Sequence, residues 1–403
     1  MGSITPQSES RLFKPLKIGN VTLQHRIVLA PMTRNRNDDD HTPVPLMEKY
    51  YADRASTPGT LIISEATSIS HAEEGQRNIP GFVSDRQVAA WSKIIQGVHA
   101  KGSFYFQQIW GVGRSSTPDY IAQRGFPYRS SSDVPMEGSD AAPRAMTEEE
   151  ILQTIQDFVD TAKRVVAAGG DGVGIHAGYG YLLHQFLSDA VNKRTDKWGG
   201  SIENRSRLTL DVVKAIVAAI GAEKVAIRLS PYVGFHEAIE SDIYELYTYL
   251  VGELKKMDVK FAYLSLIEAT GDPAVIVLGA EAPNKGKTLD FILEAWDNLS
   301  PVIVAGGYEP ETAGLALDDH YKKWDVLIAF GRHFLANPDL VFRVKNGVEL
   351  NKYNRATFYL NPTGGVLVRS ENRENEEEVL TMSDVGYNDY PFSKEFLKVY
   401  KLD

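Results

Sequence analysis

The chain has 403 residues, 43% hydrophobic and 24% charged, with no uninterrupted apolar run near the ~18 residues of a membrane span. A net charge of −10 argues against nucleic acid or an anionic membrane as the main partner, although local basic groups can still hold an anionic cofactor. Cysteine is absent, which excludes disulfides, thiol nucleophiles and Cys-based metal sites, and the nine histidines show no HExxH spacing, so no metal is expected. The start, MGSITPQSES, lacks the basic and apolar regions of a secretory signal, and a cytoplasmic protein acting on a small molecule, as monomer or homodimer, is expected.

Taken in chain order, short apolar runs alternate with longer amphipathic ones. Strands are predicted at RIVLAPM (26–32), TLIISEA (60–66), SFYFQQI (103–109), DGVGIH (171–176), VAIRLSP (225–231), FAYLSL (261–266), PVIVAGG (301–307) and VLIAFGR (326–332). Each is apolar almost throughout, as strands buried on both faces are. Helical patterns cover about 85–100, 203–220, 241–257, 287–297, 309–318 and 337–346. A further helix opens on the capping box Thr147-Glu148-Glu149-Glu150 and runs to about Ala168, where Gly169-Gly170 stop it. Eight strand–helix alternations without a composition break predict an α/β chain folded as one (β/α)8 TIM barrel over 1–403. A doubly wound open sheet is the alternative, but it wants GxGxxG after the first strand, and APMTRNR is nothing like it. Residues 110–146, rich in Gly, Ser and Pro, are expected to form a small cap after strand three, and 360–385, with the acidic run ENRENEEE, an insertion.

Active sites of such barrels form at the carboxyl ends of the strands. There the chain places Pro31-Met32-Thr33-Arg34, Glu65-Ala66-Thr67, Gln107-Gln108 with Trp110, His176, Arg228, Gly306-Gly307 and Gly331-Arg332. Glycine turns after strands seven and eight are the usual phosphate seat of this fold, and Arg332 adds a charge there. Arg228 between apolar neighbours needs an anionic or strongly accepting partner, either a core carboxylate or the carbonyl edge of a cofactor. After His176, Tyr179 and Tyr181 stand one residue apart among glycines, a spacing that either packs a turn or aims a phenol.

The motifs LFKPLKIGN, HRIVLAPMTR, LIISEAT, QQIWGVGR, IHAGYGYLLHQFLSDAVNKRTDKWGGSIENR, AIRLSPY, VAGGY, AFGRHFLANPDL, YNRATFY and GYNDYPF span nearly the whole chain. Through them it resembles the Old Yellow Enzyme family of FMN-dependent ene-reductases, in particular the fungal branch with ergot-alkaloid-pathway chanoclavine-aldehyde reductases and isomerases. The resemblance implies non-covalent FMN reduced by NAD(P)H, with NADPH favoured. It implies reduction of an activated C=C bond, of enal or enone type, in a bulky fungal specialised metabolite, by hydride from flavin N5 and a proton from Tyr181. Pro31, Met32, Thr33, Ala66, Gln108 and Arg228 would then line the flavin, and Gly306, Gly307, Gly331 and Arg332 its phosphate. His176 would bind the substrate carbonyl, with Trp110 and Tyr359 bordering the pocket.

LIEAT after strand six in place of the more usual VEPR, and the insertion after Tyr359, depart from the family pattern, as do two single positions. Tyr179 stands where an Asn or His is the second carbonyl ligand, and it either bonds the carbonyl from a shifted position or fills the space and leaves His176 alone. Gly174 replaces the usual Glu before the Ile-His pair. Isomerisation, desaturation or flavin-supported cyclisation in a biosynthetic pathway is the alternative activity, and a non-catalytic binding barrel the remote one.

Overall fold

The structure, a computed structural model, describes residues 6–271, 284, 286–362 and 383–400. Eight parallel strands form a closed barrel: β1 (Ile27–Leu29), β2 (Leu61–Ile63), β3 (Phe104–Trp110), β4 (Gly172–Ala177), β5 (Val225–Leu229), β6 (Tyr263–Ile267), β7 (Val302–Ala305) and β8 (Val326–Phe330). Each strand pairs with the next in sequence and β8 pairs with β1, so the sheet has no free edge. All eight expected strands and the expected TIM barrel are found.

A helix follows each strand: α1 (Pro45–Arg54), α2 (Asp85–Ala100), α3 (Glu148–Ala167), α4 (Ile202–Ile220), α5 (Ile243–Lys255), α6 (Asp290–Trp296), α7 (Pro310–Leu315) and α8 (Leu340–Asn346). Helix α3 begins where the capping box places it. The Thr147 hydroxyl accepts from the Glu150 amide, and the Glu150 carboxylate accepts from the Thr147 amide. The pattern at 309–318 is only partly an α-helix, because after Leu315 the chain makes one wider π-type turn over Ala316–His320.

The pleat divides each strand between two cores. Ile27, Leu29, Ile62, Ile175, Ile227 and Leu264 face outward and pack with the helices in the larger cluster. Val28, Leu61, Ile63, Phe106, Ala226, Tyr263, Ile303 and Leu327 face inward and fill the barrel. A hairpin of Leu16–Ile18 and Val21–Leu23 closes the amino end, and its Ile18 and Leu23 join the inner cluster. Its turn needs Gly19 (φ +47°), where a Cβ would lie 2.0 Å from the Glu223 carbonyl oxygen. With that end plugged by apolar side chains, only the carboxyl end can open into a site.

Residues 110–146 hold a short helix, Pro118–Gln123, and a two-residue parallel pairing of Arg129–Ser130 with Arg144–Ala145. Buried Glu73 ties this segment to the barrel rim. It accepts from the Val112 and Gly113 amides and pairs with Arg129 at 3.1 Å. Of the insertion expected at 360–385, residues 363–382 lie outside the described residues. No described helix is long and apolar enough to cross a membrane.

Candidate active site

Strand register brings the polar residues to one level. Arg228 lies beside His176, and Gln108 beside Gly174. Because every second residue faces inward, Phe106, Gln108 and Trp110 share a face, as do Gly174 with His176 and Ala226 with Arg228. Each inward column thus begins apolar at the plugged end and becomes polar at the open end. The result is a cleft of about 650 Å³, a size suited to a small-molecule site. Every residue nominated from the sequence for cofactor or substrate borders this cleft, from Pro31 to Tyr359.

On its floor, Arg228 Nη1 donates to Gln108 Oε1 at 3.2 Å. No described carboxylate pairs with Arg228, and its buried Nε has no partner among the described residues. Of the two partners the sequence left open, a core carboxylate is therefore not the one found. Gly174 contributes to this. A Cβ there would meet only the Tyr263 hydroxyl, at 3.6 Å, and a hollow of about 10 Å³ lies between it and Arg228. A buried cation held by a single amide oxygen is under-satisfied and suits an electron-rich, hydrogen-bonding edge.

At another side of the cleft, Gly306, Gly307 and Gly331 line the wall, and at Gly307 a Cβ would meet nothing within 4 Å. A Cβ on Gly331 would come within 3.2 Å of Met32 Sδ, and one on Gly306 within 2.4 Å of Glu268 Cβ. Arg332 stands beside them, its Nη1 donating to the Tyr353 hydroxyl at 3.1 Å. An uncovered glycine backbone and a guanidinium are together fitted to a phosphate. The residues present therefore fit a flat, heteroatom-rich ring joined to a phosphate.

The opposite wall carries acid–base groups. His176 Nδ1 accepts from the Gly178 amide at 3.3 Å, which leaves the proton on Nε2. Burial first, and then the Arg228 charge, hold its pKa well below the usual histidine range, so His176 is a neutral donor. The Tyr181 ring lies 4.1 Å from Trp110, 5.3 Å from His176 and 5.3 Å from His236. Burial, reinforced by Tyr359 and Tyr179, pushes its pKa up, so the phenol keeps its proton.

Tyr179 is held differently. Its backbone is left-handed (φ 53°), its hydroxyl donates to the Gly271 carbonyl at 3.3 Å, and its ring lies 5.3 Å from the Arg228 guanidinium carbon. This conformation costs a non-glycine residue roughly 1–2 kcal/mol, and neighbouring side chains hold it in place. Ser230 Oγ accepts from the Tyr179 amide at 2.8 Å, and His184 Nδ1 accepts from the Gly180 amide at 2.8 Å. His184 is itself fixed through Nε2 by buried Glu240, which also accepts from the Tyr247 hydroxyl at 2.9 Å.

Sequence reasoning missed several groups. His236 and Phe235 reach the cleft from the loop after β5, and Phe358 from the segment after α8. Burial lowers the His236 pKa to about 4. Loop residues carry no periodicity, so nothing in their spacing announces them. The His184–Glu240 pair had one available signal, a histidine and a glutamate within apolar surroundings.

Residues 11–351 match the family described as NADH:flavin oxidoreductase / NADH oxidase. The aldehyde reductase FrzD of Cladobotryum sp is 42% identical over 393 residues, covering 97% of this chain and 97% of that protein. The chanoclavine-I aldehyde reductase fgaOx3 of Penicillium roqueforti is 42% identical over 390 residues, covering 96% and 98%. Among solved structures, the Old Yellow Enzyme from Pichia sp. AKU4542 superposes with a TM-score of 0.83 at 34% identity, covering 96% of this chain and 95% of that one. The likeness expected from the motifs is the likeness found.

Proposed function

Because the chain belongs to the NADH:flavin oxidoreductase / NADH oxidase family and is an FMN-dependent oxidoreductase of the Old Yellow Enzyme type, we propose that it reduces the activated C=C bond of a bulky enal or enone. The observation that carries this reading is the meeting, in one cleft, of the carboxylate-free Arg228–Gln108 pair with a neutral His176 and a protonated Tyr181. Two relatives at 42% identity named as aldehyde reductases support an aldehyde-bearing substrate. The name chanoclavine-I aldehyde reductase supports an alkaloid-like one.

In this reading Pro31, Met32, Thr33, Ala66, Gln108 and Arg228 hold the flavin ring, and Gly306, Gly307, Gly331 and Arg332 its phosphate. FMN, when bound, supplies hydride chemistry at the substrate's β-carbon. The chain's own residues do the rest. Arg228 offers a fixed positive charge beneath the site. His176 donates from Nε2 to the substrate carbonyl oxygen as negative charge builds there, a contribution of ~3 kcal/mol for a well-placed donor. Tyr181 gives its hydroxyl proton to the α-carbon. A phenol is suited to this because its reference pKa of ~10, raised further by burial, keeps it loaded at neutral pH. Trp110 and Tyr359 border the substrate and help exclude water. NADPH is the favoured reductant, supported by a relative at 41% identity named as an NADP-dependent oxidoreductase. A cytoplasmic setting accompanies that choice.

Tyr179 favours a second reading. With its hydroxyl bonded to Gly271, the usual second carbonyl donor is missing, which suits a redox-neutral or oxidative reaction in the same cleft. Anaerobic turnover of enals, enones and prenylated alkaloid intermediates, with NADPH consumption and product mass followed together, separates the two. One NADPH per product two mass units heavier is the expected result; product without NADPH consumption rejects net reduction.

A further inference from the structure

Arg34 and Arg36 follow Thr33 closely and are fully buried, yet neither guanidinium forms an ion pair with a described carboxylate; only the Arg34 backbone amide reaches one, donating to Glu65 at 3.4 Å. Their guanidinium groups instead collect main-chain carbonyls from two distant segments. Arg34 Nε donates to Phe358 at 3.0 Å and its Nη2 to Gly386 at 2.6 Å. Arg36 Nη1 donates to Leu360, and its Nη2 to Thr357 at 3.3 Å and Val385 at 3.2 Å. Both guanidiniums also lie over the Tyr387 ring, at 4.9 and 5.1 Å, and that ring stacks on Tyr50 at 4.2 Å. Apart from the short turn Arg355–Thr357, residues 351–362 have no regular structure to hold them. A planar fork can bridge two carbonyls at once, whereas a lysine ammonium is a single point charge.

Phe358 and Tyr359, the residues between the clamped carbonyls, border the cleft, and Tyr359 is 63% exposed. We propose that Arg36 is a positioning residue for substrate selection: by tying Thr357, Leu360 and Val385 together it fixes Phe358 and Tyr359 as one wall of the cleft, and so sets its preference for a bulky over a small carbonyl substrate. This rests on the reductase reading above. Arg36 does not itself border the cleft and touches neither proposed flavin nor substrate groups.

The test compares the holoenzyme with Arg36→Lys, Arg36→Gln and Tyr359→Ala, using a polycyclic enal and a short linear enal. For the two Arg36 variants, FMN should be retained, flavin reduction by NADPH should stay within about twofold of wild type, and the bulky-to-small ratio of kcat/KM should fall at least tenfold, carried by KM. Tyr359→Ala, at an exposed position, should shift the ratio in the same sense. An unchanged ratio in a yellow Arg36→Lys enzyme overturns the proposal, and so does loss of FMN, which would make Arg36 part of the cofactor seat. If neither arginine variant folds, hydrogen exchange of the wild type decides. Amides at 357–360 and 385–387 should exchange at rates within threefold of one another, and a tenfold gap rejects the clamp. A wild-type protein that binds FMN but is reduced by neither NADPH nor NADH would instead sink the reductase reading.

Discussion

Arg228 reaches past strand β4 to donate to Gln108 at 3.2 Å, and no described carboxylate neutralises it. The missing side chain at Gly174 is part of the cause. Arg228→Met should weaken FMN binding by ten- to a hundredfold, in keeping with the loss of one hydrogen bond to a charged group, ~1.5–3 kcal/mol. Fluorescence titration of the apoprotein with FMN checks this. Undiminished affinity in Arg228→Met would remove the cation from the cofactor seat.

Tyr181→Phe removes the phenolic proton and preserves the ring that packs on Trp110. Flavin reduction by NADPH should stay within about twofold of wild type, while reoxidation by an enal slows ~10²–10⁴-fold, the usual range for a general acid. Stopped-flow absorbance separates the two half-reactions. Equal slowing of both would point to a packing role.

Tyr179→Asn replaces a left-handed tyrosine with a residue that tolerates this backbone and brings a carboxamide donor. It also gives up the bond to Gly271 and the contact with Arg228, so thermal stability should change by no more than ~1 kcal/mol. Turnover of a small cyclic enone should rise at least tenfold. A loss of activity on small and large substrates alike would identify the Tyr179 hydroxyl as a carbonyl ligand in its own right.

His25 lies fully buried at the start of β1, 3.0 Å from the Thr60 hydroxyl, with Nδ1 accepting from the Ile27 amide. Burial lowers its pKa to about 3. The unfolded chain, with an ordinary histidine near ~6.5, therefore binds a proton that the folded chain refuses between those two values, and stability rises with pH across that window. From pH 6.5 down to 5 the loss from this residue should be about 2 kcal/mol, at ~1.4 kcal/mol per unit. Thermal melts from pH 7 to 5 should fall less steeply in His25→Asn than in wild type. Parallel slopes would show that other groups control the acid transition.

Much of the fold was legible because parallel barrel strands are buried on both faces and read as unbroken apolar runs, while capping boxes and double glycines mark the helix ends. Polar residues at strand ends stood out for the same reason. Gln108, His176 and Arg228 sit where a core would choose aliphatics. His236, Phe235 and Phe358 did not stand out, since they lie on loops and their approach to the cleft follows no period. Nor did Arg34 and Arg36 reveal whether they would seek carboxylates or carbonyls.

By itself, then, the sequence determined the order of strands and helices, the end of the barrel at which a site forms, and the set of side chains gathered there. Hydrophobic periodicity is a local property, and local patterns record which face of a strand is buried. The tertiary structure decided what those side chains do to each other: that Arg228 meets an amide, that Tyr179 turns its hydroxyl to Gly271, and that two arginines clasp segments some 320–350 residues away. Such pairings depend on distances between atoms far apart in the chain, and only closure of the barrel fixes those distances.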